Sequence, residues 1–318
     1  MNSQNKVFEK TARTLESLAQ ELCLRFASGN EDEIKKYLET VGYYRLKGYW
    51  YKFKSETESV ELPNGERKRK IRTDFLRIKD IYDFDRALRF MLLDAIERIE
   101  VAVRAMTIHE SAMNAGLFGY LCPENYGGGT EERGKFIEHI KKQIDRAKKS
   151  TLSIRSYYAN YSEPYPPICI AGEVFDFGTT LKIFLNGLPK ASRRRIAGRC
   201  GVVDYKVLSS WLAVLNDVRN ACAHHNRVMD RSWAKVPKIP KRWRALLGSA
   251  FPERQTGIVF LICNALLRAI APETRWQNRV NNLFAESRFS KIPPEEIGLP
   301  ENWNKHPLWL GLKAEKKA

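Results

Sequence analysis

Residues 81–106 read IYDFDRALRFMLLDAIERIEVAVRAM, and this stretch decides the fold class. Leu88, Met91, Leu92, Ala95, Ile96, Ile99, Ala102, Val103 and Met106 recur at three- and four-residue steps, so a helix gathers them on one stripe. With Thr73 as N-cap, that helix is predicted over about 74–114. Upstream, Leu15, Leu18, Leu22 and Phe26 keep the same period, and Ile34, Tyr37, Leu38 and Val41 form a second amphipathic stretch ended by Gly42. Pro63-Asn64-Gly65 is a turn signal, which predicts a short β-hairpin near 55–72. Downstream, Phe136, Ile137, Ile140 and Ile144 continue the helical period, and further helices are predicted over 171–188, 190–199, 204–225, 252–271 and 273–287. Residues 116–134, with GGG at 127–129, read as a mobile connector; no G-K-[ST] follows, so it is not a P-loop. The expectation is an all-α protein: a helical domain over 73–290, a small N-terminal helical and aromatic appendage over 1–72, and a tail over 291–318 that packs on the bundle or is partly flexible.

The 318 residues are 43% apolar and 11% aromatic, enough for a real core and too apolar for a disordered basic tail. Six cysteines, at 23, 122, 169, 200, 222 and 263, form no C-x-x-C pair, and there are five histidines. A disulfide scaffold and a zinc module are therefore not expected, and the sequence calls for no metal and no cofactor. MNSQNKVFEKTARTLESL has no apolar signal core, and the longest apolar run, Gly257 to Leu267, is too short to cross a bilayer. The expectation is a cytoplasmic protein away from membranes. Lys and Arg number 54 against 37 Asp and Glu, a net charge of +17. Residues 1–110 hold 21 basic and 19 acidic residues, whereas 221–270 hold nine basic residues against Asp230 and Glu253. A surface so polarised attracts a polyanion, and nucleic acid is the large cytosolic one.

The predicted helix from Asp204 puts Leu208, Trp211, Leu212, Leu215, Val218 and Cys222 on a core stripe, leaving Asn220 and His224 on the opposite face. Arg219-Asn220-x-x-x-His224 has the R-N-x-x-x-H form of the R-x(4–6)-H signature of HEPN nucleases. Its setting, SWLAVLNDVRNACAHHNRVMDR at 210–231, together with VGYYRLKGYWYKF at 41–53 and IYDFDRALRFMLLDAIERIEVAVRA at 81–105, resembles the Abi-like family of bacterial abortive-infection proteins. GEVFDFGTTLKIFLNGLP at 172–189 and GLPENWNKHPLW at 298–309 resemble it too; Met229-Asp230 departs from the Trp-Asn more usual there. The resemblance implies a HEPN-type helical bundle, a part in phage defence, and kinship with the HEPN domains of RNA-guided type VI CRISPR nucleases. It also implies toxin–antitoxin pairing in some members, with a structured small RNA as the neutralising partner, and cleavage without metal at a composite site built from two copies of the motif.

The residue types suit that chemistry. RNA cleavage without metal needs a base for the 2′-OH, an acid for the leaving 5′ oxygen and positive charge at the phosphorane. His224 is assigned to proton transfer, Arg219 to the developing charge, and Asn220 to orienting the phosphate or His224. The second proton carrier is either His225 or His224 of a second copy; the outward face of Asn220 and His224 favours a homodimer. Glu97 and Glu100 share a face with Arg104 and read either as support for the site or as surface pairing of Glu100 with Arg104. For RNA contact the candidates are Arg227, Arg231, Lys235, Lys238, Lys241, Arg242 and Arg244. Arg193, Arg194 and Arg195 read either as contacts or as a solvated face. Tyr44, Arg45, Lys47, Tyr49 and Trp50 read either as a base-stacking platform or as packing of the appendage. Two other functions stay open: a protein of the same fold that holds a structured RNA without cleaving it, and a DNA repressor using residues 193–212 as a helix-turn-helix with Gly201 at the turn.

Overall fold

The computed structural model describes residues 11–247 and 251–311; the first ten residues of the expected appendage and residues 312–318 of the expected tail lie outside the described residues. The chain divides into two compact units, residues 1–86 with 287–289, and residues 87–286 with 290–318.

The first unit contains α1 (Leu15–Arg25), α2 (Glu31–Thr40), α3 (Tyr43–Trp50), β1 (Lys54–Glu61), β2 (Arg67–Ile71) and the first turns of α4 (Phe75–Ala115). Thr14 and Asn30 start α1 and α2 by accepting the backbone N–H groups of Ser17 and Glu33. The hairpin is antiparallel and turns at Asn64-Gly65, as the sequence predicts. Phe75 meets Phe26 and Tyr37 edge-on, with ring centroids 5.5 and 5.7 Å apart, which draws the start of α4 into this unit. Glu21 is buried between Arg13 and Arg25, and Arg25 also donates from Nε to the Arg69 carbonyl at 3.0 Å, tying α1 to β2.

The second unit holds the rest of α4 with α5 (Thr130–Ala147), α6 (Leu152–Asn160), α7 (Ile168–Ala171), α8 (Phe177–Lys182), α9 (Lys190–Arg199), α10 (Tyr205–Ala223), α11 (Lys241–Leu247), α12 (Thr256–Ile270), α13 (Trp276–Ala285) and α14 (Pro307–Leu310). α12 is apolar all round and therefore central: Ile258 to Cys263 are all buried. Gly257 is required by a crossing chain, because a Cβ there would lie 2.4 Å from the Gly298 carbonyl oxygen. The segment 290–311 packs into this core through Ile297, Leu299, Trp303 and Trp309, and the Trp309 carbonyl accepts from Asn264 and Gln277 at 2.7 Å each. Among the described residues no helix is long and apolar enough to cross a membrane.

Two expectations are corrected. Residues 171–188 are not one helix: α7 stops, Asp176 starts α8 anew by accepting from Thr179, and 183–187 widen into a π-turn. The break lies at Phe175 and Asp176, whose backbone is extended after a 3₁₀ turn over Gly172–Val174, and Gly172 itself packs so close to Ile108 that a Cβ would lie 2.0 Å from its Cδ1. Residues 116–134 are also more than a connector. Two 3₁₀ turns at 119–121 and 123–125 are held by buried tyrosines, Tyr120 Oη donating to the Pro166 carbonyl at 2.6 Å and Tyr126 Oη to the Tyr120 carbonyl at 3.0 Å, and after the irregular glycines 127–129 α5 begins at Thr130.

Burial by itself would push the Glu21 carboxyl up, but hydrogen bonds from Arg13 and Arg25 hold it below the ordinary value of 4.5. A folded-state value below the unfolded one gives stability that is present above pH 4.5 and lost as pH falls through the folded value. Glu21→Gln should cost about 3 kcal/mol near neutrality. In paired urea titrations that difference should shrink towards zero in acid; a difference that persists there contradicts the pairing.

Candidate active site

α10 begins where the Asp204 side chain accepts the Lys206 N–H at 2.8 Å, and its predicted stripe of Leu208, Trp211, Leu212, Leu215, Val218 and Cys222 is buried throughout. Its last turn closes in a Schellman arrangement: His225 N–H donates to the Cys222 carbonyl at 3.0 Å and Asn226 N–H to the Ala221 carbonyl at 2.8 Å. The left-handed position in that motif, usually glycine, is His225 with φ +58°. A side chain there costs roughly 1–2 kcal/mol, and the result is that Asn220, His224 and His225 all end exposed at one helix terminus. The chain is then fixed by burial of Val228 and Met229, by Thr256 Oγ1 donating to the Val228 carbonyl at 2.6 Å, and by Asp230 N–H donating to the Glu296 carbonyl at 2.9 Å. Asp230 also has positive φ, +47°, a conformation that Asn and Asp tolerate best.

Arg219 points elsewhere. Lying one position past the buried Val218, it turns towards α4, where its Nε is 3.5 Å from Glu100 Oε2 while Arg104 binds Oε1 of the same carboxylate. Glu100 is 6% exposed, and the Arg219 side chain is 38% exposed, so the guanidinium is anchored on one side and open on the other. Its Nη1 donates to Asn220 Oδ1 at 3.4 Å. Burial pushes the Glu100 carboxyl above its ordinary range, against the pull of Arg104 and Arg219, and the negative charges of Asp176 and Glu97 add to the push. Glu97 is exposed one turn earlier on α4. Arg104, weighed in the sequence only as a partner of Glu100, is part of the constellation, and its i,i+4 spacing was the available signal. Asp176 acts across a fold that no local signal foretells.

The basic residues after the motif form a strap that runs back along α10. Arg231 lies over the Trp233 ring at 4.5 Å. Lys235 Nζ reaches Asp217 Oδ1 at 2.7 Å, Lys238 N–H donates to Ser210 Oγ at 2.8 Å, and the Lys238 carbonyl accepts from Trp211 Nε1 at 2.9 Å. Ser210, Ala213, Asp217, Asn220 and His224 share one face of the helix, so the strap lies on the face that continues into the motif. Lys238, Lys241, Arg242 and Arg244 are exposed, while Arg227 and Arg231 are half-buried.

The other expected contacts divide. Tyr44 is 70% exposed beside Lys47, whose ammonium lies 5.9 Å from its ring, and Arg45 is exposed. Tyr49 and Trp50 are 3% and 1% exposed: Tyr49 Oη donates to Asp85 at 2.7 Å and Trp50 packs edge-on to Phe26 and Tyr43, so these two rings are core and present no stacking face. Their spacing from Leu46, three and four residues on, was the signal for an inward helix face. Arg193 donates to the Leu185 carbonyl and covers Tyr205, Arg195 forks onto the buried Glu110, and Arg194 is exposed.

Residues 36–230 match a family model described as Abi-like protein. No curated protein and no solved structure matches the chain.

Glu100→Ala strands two guanidinium groups and should destabilise the protein by about 2 kcal/mol, whereas Glu100→Gln should stay within about 1 kcal/mol. Because the folded-state value of Glu100 is raised, its contribution is present below the ordinary 4.5 and lost as pH rises through the folded value. Wild type should therefore lose stability relative to Glu100→Gln between acid and neutral pH; a difference that grows in the opposite direction refutes the assignment.

Proposed function

The chain belongs to the Abi-like protein family, and from that premise we propose that it is a metal-independent HEPN endoribonuclease, the toxin of an abortive-infection system of toxin–antitoxin type, restrained by a structured small RNA. One arrangement carries the proposal: Arg219 held by a buried carboxylate, with Asn220 and His224 exposed at the end of the same helix. His224 takes the 2′-OH proton as that oxygen attacks phosphorus. Arg219 stabilises the phosphorane, and Asn220 orients the phosphate. The P–O5′ bond breaks with protonation of the 5′ oxygen, leaving a 2′,3′-cyclic phosphate and a 5′-hydroxyl. His224 of a second copy supplies that last proton in a homodimer, the exposed terminus being free to face a twofold mate; His225 is the candidate if the protein is a monomer. The cationic strap, with Tyr44, Arg45, Lys47 and Arg194, contacts RNA phosphates and bases.

A repressor that reads DNA with α10 is disfavoured by a specific observation. Residues 235–238 lie over the solvent face of α10 at Ala213, Asp217 and Ser210, the face a recognition helix must put into the major groove.

Purified protein incubated with RNA in EDTA should yield products ending in 2′,3′-cyclic phosphate, and His224→Ala should lower the rate by at least about 10²-fold while RNA binding persists. Binding without turnover in wild type cleared of co-purified RNA would leave the RNA-holding function and remove the nuclease. Light scattering should give the mass of a dimer; a strict monomer, free and RNA-bound, would transfer the second proton to His225.

A further inference from the structure

At the end of α10 remote from His224, a groove of about 680 Å³ opens between the turn at 201–207 and the strap at 237–244. Its floor is apolar, built from Val207, Trp211, Ile239 and Pro240, and Val203 beside it is 91% exposed. Four cations stand around it, Lys238, Lys241, Arg242 and Arg244, and among the described residues none of the four is ion-paired. The one carboxylate in the lining, Asp204, is occupied in capping α10. The groove has fixed walls, because the Lys238 backbone is bonded to Ser210 and Trp211 on one side and Trp243 packs against Trp211 at 4.9 Å below. Four exposed cations against one carboxylate leave the rim net positive over an apolar floor, which suits an anion with a flat apolar body.

On the premise that the protein binds RNA, we propose that this groove is a nucleotide pocket, taking one unpaired base of the RNA on its floor and the flanking phosphates on its cationic rim. Val207 and Asn220 are thirteen residues apart on the helix, about 20 Å, so the pocket is separate from the cleavage centre. The strap connects the two, and a base seated here fixes which phosphate reaches Arg219.

Two labelled probes test this, a short single-stranded RNA and a ribose-phosphate strand of equal length lacking bases, each titrated into the full-length protein. Wild type should bind the base-bearing strand at least about tenfold tighter. Val207→Met, which fills the floor without adding a ring or a charge, should abolish that preference and leave affinity for the abasic strand unchanged. Lys241→Ala with Arg242→Ala, both exposed and safe for folding, should weaken both strands and lower the salt slope by up to about two. Equal affinity of wild type for the two strands, or an undiminished preference in Val207→Met, overturns the pocket while leaving RNA binding intact. Failure of wild type to bind either strand overturns the RNA premise with it.

Discussion

Everything at this site depends on one buried carboxylate. Glu100 stands between Arg104 of its own helix and Arg219 of α10, and it converts the packing of two helices into the placement of a guanidinium. A lone charge at such depth would cost several kcal/mol; two guanidinium partners, one on each carboxylate oxygen, offset part of that cost. The pair is also directional. Arg219 has one edge committed to the protein and another open, so a phosphate would meet a group already oriented, with little side-chain entropy left to lose.

The end of α10 adds a second constraint. A histidine sits where a helix usually finishes with glycine, and the backbone still completes both Schellman bonds. Strain of this kind persists where the surroundings over-determine it, and here they do: Val228, Met229 and Asp230 are tied to α12 and to the 294–297 turn immediately downstream. The exposed polar cluster is thus the tip of a well-anchored corner.

Much of this was legible in the sequence because it is local. The stripe of α10, its start at Asp204, the bounds of α9 and the hairpin at Asn64-Gly65 all follow from periods and turn chemistry within a few residues. Part of what escaped is local chemistry passed over, since the helix expected over 171–188 breaks at Phe175 and restarts at the Asp176 cap. The rest is set by distant partners: the Pro166 carbonyl holds Tyr120 and with it the 3₁₀ turns at 119–125. In the 42–53 segment composition leaves a stacking platform and packing equally open, and the structure divides it: Tyr49 and Trp50, on the inner face with Leu46, pack, while Tyr44 is exposed. The list of basic residues after the motif was also readable, but only the bonds to Ser210, Trp211 and Asp217 show it to be an ordered track.

The hairpin of the first unit has a consequence for how the protein behaves in a crowded solution. A ribbon of two strands has two outer edges, and unpaired edges are templates on which further strands assemble into aggregates. Among the described residues, α1 covers part of β2, through a bridge from Ile71 to Phe26 and the bond from Arg25 to the Arg69 carbonyl. Along the rest, Arg67, Lys68, Arg69 and Lys70 follow one another on β2 while Glu56, Glu58 and Glu61 punctuate β1. An identical strand laid in register on β2 would bring four like charges against four, so the ribbon carries its own guard against self-assembly.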